Sequence, residues 1–327
     1  MANMPKAAAK FRFFVSFTII TLYALILAGG IVRSTGSGLG CPDWPRCFGR
    51  WVPPTELSEL PADYKTRYAE DGLPPELVVF NPVLTWVEYA NRLLGALVGL
   101  FVVVSTFLAF RAFGFSLVSG LSLLATLLTG VQGWLGSKVV SSALMPWIIT
   151  THNALAQIIV YALIAAYMLS QRTSQLAQPS RQERNLALLL WLFAIGQFYL
   201  GLGVRQWTDT LQQAGAGKEA IMADFLRGGH TSLFLLHRSF SWVLAGVLFW
   251  QLWRYARVRK DAYDEGISYY QAAGACVICN IIIGVVMQFV PLTAYAQPLH
   301  LLFGSALLGI LFAIYLLSVV APRPAKA

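Results

Sequence analysis

Residues 86–100 read Trp86-Val87-Glu88-Tyr89-Ala90-Asn91-Arg92-Leu93-Leu94-Gly95-Ala96-Leu97-Val98-Gly99-Leu100. A polar turn from Glu88 to Arg92 opens an apolar run that meets no further charge before Arg111. Roughly 20 apolar residues suffice for a helix to cross a bilayer, so this stretch is read as a membrane span entered through a polar turn. It has a counterpart. Leu236-His237-Arg238 opens a second such run, and His152 and His300 follow Asn91 and His237 after 61 and 63 residues. One polar residue thus repeats near the same end of four alternate spans, a histidine in three cases and an asparagine in the fourth.

The remaining spans fall near 13–32, 116–136, 147–170, 185–204, 234–253, 269–290 and 299–320, with 87–110 making eight. Of the 327 residues, 57% are hydrophobic and only 12% charged, at a mean hydropathy of +0.61. Soluble domains carry about 25% charged residues. The fold class expected is an all-α integral membrane protein. The first span follows Lys6, Lys10 and Arg12 but is long and lacks a small-residue cleavage site before Arg33, so it is read as retained.

The basic residues set the expected orientation. With the N-terminus inside, the inner segments hold 13 of the 24 Lys and Arg against four acids, while the outer side balances 11 against 11. The whole net charge of +9 then lies on the cytoplasmic face, and nothing in it points to nucleic acid. Both termini are expected inside.

Helix one closes on Gly29-Gly30-Ile31-Val32-Arg33 and helix five on Gly201-Leu202-Gly203-Val204-Arg205. Both halves start from the same side, so the repeat is parallel. The expected architecture is two parallel-repeat four-helix bundles, residues 1–175 and 176–327, parted at the 171–184 link. Long outer loops are expected at 33–86 and 205–233. Cys41 and Cys47 lie in the first, where an oxidising exterior permits a disulfide, and one is expected. Cys276-x-x-Cys279 is read as packed thiols, with a redox or metal role as the alternative. Trp86, Trp134, Trp147, Trp207 and Trp242 are read as interface anchors.

An ionisable side chain inside a span is costly and usually faces a functional interior. A lone buried histidine is as well explained by helix packing. A matched pair on alternate helices at one depth, His237 and His300, is better explained as the two axial ligands of a haem iron. Arg238 and Arg205, and Arg92 and Arg33 in the first half, are placed to pair with haem propionates; the alternative for each is snorkelling to the interface. With Asn91 a poor iron ligand, a first-half haem would be held by His152 alone, leaving the opposite face open. Glu88, three residues before Asn91, lies on the same helix face and could move protons or balance developing charge; the alternative is a solvated or arginine-paired acid. His230 is read as a surface residue.

Together these residues resemble the haem A synthase family over about residues 13–320. The resemblance rests on the Gly-Gly-x-Val-Arg end of helix one, the turn Ser37-Gly38-Leu39-Gly40 and the cysteine pair flanking Trp44-Pro45. It rests also on Trp86-Val87-Glu88-Tyr89, Leu236-His237-Arg238 and Gln297-Pro298-Leu299-His300-Leu301. It implies a haem b cofactor on His237 and His300, and a substrate site for haem O at His152, Glu88 and the position of Asn91. The implied reaction oxidises the C8 methyl of haem O to a formyl group through successive hydroxylations, giving haem A for a haem-copper terminal oxidase. Implied partners are haem O and haem A, a haem O synthase, oxidase assembly factors, an electron donor and membrane lipid, in a bacterial cytoplasmic membrane. The family motif Glu-x-x-His-Arg stands here as Glu88-Tyr89-Ala90-Asn91-Arg92. That departure keeps a second reading in view, a non-catalytic diheme-type electron-transfer or haem-handling assembly protein.

Overall fold

The computed structural model describes residues 4–69, 73–171, 180–227, 231–258, 265–289 and 295–319. His230 and most of the 171–184 link lie outside them. The helices are α1 (Met4–Ser34), α2 (Tyr64–Arg67), α3 (Pro82–Phe113), α4 (Leu117–Ser141), α5 (Pro146–Ser170), α6 (Arg181–Gln213), α7 (Lys218–Arg227), α8 (Thr231–Val258), α9 (Glu265–Phe289) and α10 (Ala296–Val319). All except α2 and α7 are long and apolar enough to cross a membrane, which makes eight spans among the described residues. The chain is an all-α integral membrane protein.

Local chemistry fixes where these helices start. Asn81 caps α3, its side-chain oxygen accepting from the amides of Val83 (3.0 Å) and Leu84 (3.2 Å), and Pro82 takes the first position, where no amide is needed. Helix α3 therefore begins five residues earlier than the apolar run alone implies, and this lifts Glu88 and Arg92 well into the helix. Ser180 and Glu183 form a reciprocal capping box on α6.

The second expected loop differs from expectation. Helix α6 continues past Arg205 to Gln213, and α7 occupies much of the segment between α6 and α8. Arg205 and Asp209 pair one turn apart at 3.8 Å, and the indole nitrogen of Trp207 donates to Asp224 of α7 at 2.7 Å. Polar composition is legible there, but it serves an amphipathic helical extension rather than an irregular loop.

The chain divides into two compact units, Met1–Ser170 and Gln171–Ala327. In the first, α1 packs on α3 and α5, α3 on α4, and α4 on α5. Hydroxyls tie these helices: Thr18 to Ser105 at 3.0 Å, and Thr106 to Thr126 at 2.8 Å. In the second, α6 packs on α8 and α10, α8 on α9, and α9 on α10. Trp191 stacks on Tyr315, and Gln251 bridges the Tyr270 hydroxyl and the Leu186 carbonyl.

The loop before α3 has a core of its own. Phe48 is buried against the rings of Tyr64, Tyr68 and Phe80 at 5.5–6.1 Å, beside Cys41, Cys47, Leu73 and Val78. Cys41 and Cys47 are joined by a disulfide. The two carboxylate oxygens of Asp43 accept from the amides of Phe48 (2.5 Å) and Gly49 (2.8 Å), and Gly49 takes φ +73°, which favours glycine.

Candidate functional site

On α3, Thr85, Glu88 and Arg92 fall at i, i+3 and i+7 and so share one face. All three are turned to the disulfide loop. The Thr85 hydroxyl donates to the Gly40 carbonyl at 2.8 Å, and the Cys41 amide donates to Glu88 Oε2 at 2.9 Å. Arg92 donates to the carbonyls of Cys41 (2.8 Å), Asp43 (2.7 Å) and Arg46 (3.0 Å) and to Glu88 Oε1 (2.5 and 3.1 Å). The pair is nearly dry, with side-chain exposures of 5% for Glu88 and 14% for Arg92. Gly40 admits the contact: a methyl group there would lie 2.4 Å from the Leu84 carbonyl oxygen. The guanidinium expected to meet a propionate is thus occupied by loop carbonyls, and Glu88 is bonded on both oxygens.

Asn91 follows Glu88 by three residues on the same helix, at the edge of that face. The Oδ1 of Asn91 is buried and has no hydrogen-bond partner among the described residues, and the same holds for Nδ1 of His152 on α5. Gln132 of α4 donates to the His152 carbonyl at 3.0 Å, while its own Oε1 is buried and unmatched. Buried polar atoms are nearly always paired, so these three stand out among the described residues of the first unit.

In the second unit α8 and α10 bring His237 and His300 together, ring centres 6.2 Å apart at an interplanar angle of 73°. Imidazole nitrogens bond a metal at about 2 Å and the ring centre lies roughly 1 Å further back, so two rings trans across one ion stand about 6 Å apart. The pair fits. Among the described residues no group of three or more His, Cys, Asp or Glu could hold a metal ion. Gln197 of α6 lies 3.1 Å from His237 Nδ1 and donates to the His237 carbonyl at 2.7 Å. Asn280 of α9, oriented as its neighbours require, donates to the His300 carbonyl at 2.8 Å, lies 3.3 Å from His300 Nδ1 and accepts from the Gly304 amide at 2.9 Å.

The arginines divide. Arg205 is largely buried at 14% side-chain exposure beside Asp209. Arg238 is exposed, its guanidinium 5.8 Å from the Phe234 ring. Arg33 occupies the last turn of α1. Cys276 and Cys279 are free and partly buried. The amides Gln132, Gln197 and Asn280 escape a reading of the sequence for charge and histidine, although each stands four residues before a glycine.

A profile of the COX15-CtaA family, described as cytochrome oxidase assembly protein, matches residues 12–312. A protein of Shewanella oneidensis named Heme A synthase is 30% identical over 196 residues, 59% of this chain and 55% of that one. The chain therefore spans about half the length of that relative. A Heme A synthase of Geobacillus kaustophilus is 22% identical over 97% of this chain and 94% of its own. One of Methylorubrum extorquens is 27% identical over 88% and 81% respectively.

Proposed function

The chain belongs to the cytochrome oxidase assembly protein family, and from that premise we propose that it is a haem A synthase, oxidising the C8 methyl of haem O to a formyl group for a terminal oxidase. The observation that carries the reading is the His237–His300 pair at 6.2 Å, a spacing that suits one haem iron. A haem b held there would supply electron transfer. His237 and His300 bind it, and Arg205 and Arg238, each one helix turn or less from that level, balance its carboxylates.

The substrate half is residues 1–175, with the cofactor half at 176–327, two four-helix bundles related by a parallel repeat. His152 holds the substrate haem from one side. Asn91, an amide rather than a ligand, leaves the other side open, and its buried Oδ1 is free to accept a hydrogen bond there. Glu88 is the carboxylate that takes a proton, giving up a bond to the Cys41 amide or to Arg92 to do so, and Arg33 holds the place that Arg205 takes in the second half. Both termini are on the cytoplasmic side of a bacterial membrane, and an electron donor and oxidase assembly factors are its partners.

The test is extraction and mass analysis of haem from a host that makes haem O but no haem A, with and without the protein. The expected result is haem A or its hydroxylated intermediate, lost in Glu88→Ala and His152→Ala. Asn91 favours one other reading, a non-catalytic haem-handling protein; unchanged haem O with well-folded protein carrying haem b would establish that instead.

A further inference from the structure

The three amides that touch the histidines share a spacing. Gln132 precedes Gly136 by four residues, Gln197 precedes Gly201 by four, and Asn280 precedes Gly284 by four. Each pair lies on the membrane-spanning helix just before the one carrying the histidine. Four residues is slightly more than one turn, so amide and glycine share a helix face. The glycines meet the rings: a methyl group on Gly136 would lie 3.5 Å from His152 Cε1, on Gly201 2.8 Å from His237 Cε1, and on Gly284 3.4 Å from His300 Cε1. The amides meet the same residues from one turn away, at the main-chain carbonyl in all three and at Nδ1 in two.

Aligned on the Val-Arg helix ends, Gly201 matches Gly29 and Gln197 matches Leu25. A methyl group on Gly29 would meet nothing within 4 Å. The pair that corresponds to position 91 keeps the glycine, lacks the amide and receives no imidazole.

We propose that this amide-x-x-x-glycine element is the device that positions each imidazole, that Gln132, Gln197 and Asn280 are its working copies, and that Leu25 with Gly29 is a copy without its polar half. The glycine makes room for the ring to lie across the helix. The amide fixes the depth of the histidine through its carbonyl and, for His237 and His300, answers Nδ1. Donating, the Gln197 amide answers a bare Nδ1 and the His237 carbonyl together; turned end for end, it gives up the carbonyl bond and accepts from an Nδ1–H once Nε2 is taken by a metal. The buried, unmatched oxygen of Gln197 supplies that second option. The element makes these amides positioning residues. It also explains why position 91 is not simply a missing ligand: its support is missing too.

The positioning role rests on the haem reading of His237 and His300. The experiment uses the full chain in detergent, titrated with haem b and followed by low-temperature electron paramagnetic resonance and redox potentiometry. Gln197→Glu, which strengthens the acceptor at Nδ1, is expected to move the midpoint of the low-spin haem to more negative potential. Gln197→Leu is expected to move it positive, with haem still bound in both. Asn91→His alone is expected to give a second haem of mixed spin, and Leu25→Gln with Asn91→His a second haem that is wholly low-spin. A parent chain that binds a low-spin haem whose potential ignores both Gln197 variants, or a single Asn91→His that already gives the full second low-spin signal, would overturn the positioning role alone. A parent chain that takes up no low-spin haem would overturn the functional reading and the positioning role with it.

Discussion

The first turns of α3 and α8 carry the same two-residue pattern, Asn91-Arg92 and His237-Arg238, yet the two units use it differently. In the first, Arg92 is almost buried and holds three carbonyls of the disulfide loop together with Glu88. In the second, Arg238 is exposed near a phenylalanine ring, and the neighbouring histidine makes the polar contact, with Gln197 and opposite His300. The first unit commits its polar helix entrance to folding a loop; the second uses it to bring two imidazoles together. The same residue types at the same register take their roles from what the preceding chain brings to them: a cross-linked loop in one unit, an amide in the other.

The largest expected effect falls on the loop clamp. Arg92→Ala leaves Glu88 buried and three carbonyls unmatched, which costs about 3–5 kcal/mol for a broken buried pair; Arg238→Ala, an exposed contact, costs about 0.5–1 kcal/mol. Equilibrium unfolding of both variants in one detergent measures the contrast, and equal losses would remove the asymmetry. Gly40→Ala belongs with the first class, because its methyl would strike main-chain atoms of Leu84 and Thr85 at 2.4–2.9 Å.

The glycines come next. Gly201→Ala is expected to displace His237, cost about 1–3 kcal/mol through overpacking and weaken the low-spin haem signal. Gly29→Ala meets open space and is expected to be neutral or to stabilise by about 0.5–1 kcal/mol. Thermal melts with haem spectra on the two variants sharpen the comparison at matched positions. Thr85→Val removes one buried hydrogen bond to Gly40 and is expected to cost about 1 kcal/mol, again by unfolding.

The smallest effect is one of pH. Glu59 accepts from the Thr55 amide first, then from Arg50, the Thr55 hydroxyl and the Glu56 amide, and these hold its carboxyl down to about 2 from an ordinary 4.5. A depressed carboxylate contributes stability above its unfolded value that is lost as pH falls through the folded one. Protection factors of the Thr55 and Glu56 amides, that is, exchange rates divided into the intrinsic rate at each pH, are therefore expected to fall between pH 4.5 and about 2 in the parent chain, and to be low and unchanging over that window in Glu59→Gln.

Much of this is legible in the letters. Eight apolar runs give eight spans because length and composition alone decide whether a helix can cross a bilayer. The proximity of His237 and His300 follows from their matched depth, and the Cys41–Cys47 bridge from two cysteines six residues apart in one loop. Arg92 is legible as an anion partner but not as a loop clamp, because main-chain carbonyls leave no trace in a sequence. The extension of α6 is hidden by its polarity, which reads as loop until Asp209 and Asp224 are seen to satisfy Arg205 and Trp207. The orienting amides are overlooked for a simpler reason: a glutamine in an apolar helix draws attention only when its spacing to a glycine is compared across all four helix pairs.

The face of α3 formed by Thr85, Glu88 and Arg92 also imposes an order in time. Residues 35–81 leave the ribosome before the helix that supplies their three anchors, so the loop cannot finish folding on its own account. Until α3 arrives, Cys41 and Cys47 belong to an untethered strand of chain, open to the wrong partner or to reductant. Once it arrives, the Cys41 amide and carbonyl are both fastened to it. The helix that frames the first-unit site thereby acts as the template on which its own covering is completed, and faults in its first turns will be felt as failures of biogenesis before they are felt as failures of chemistry.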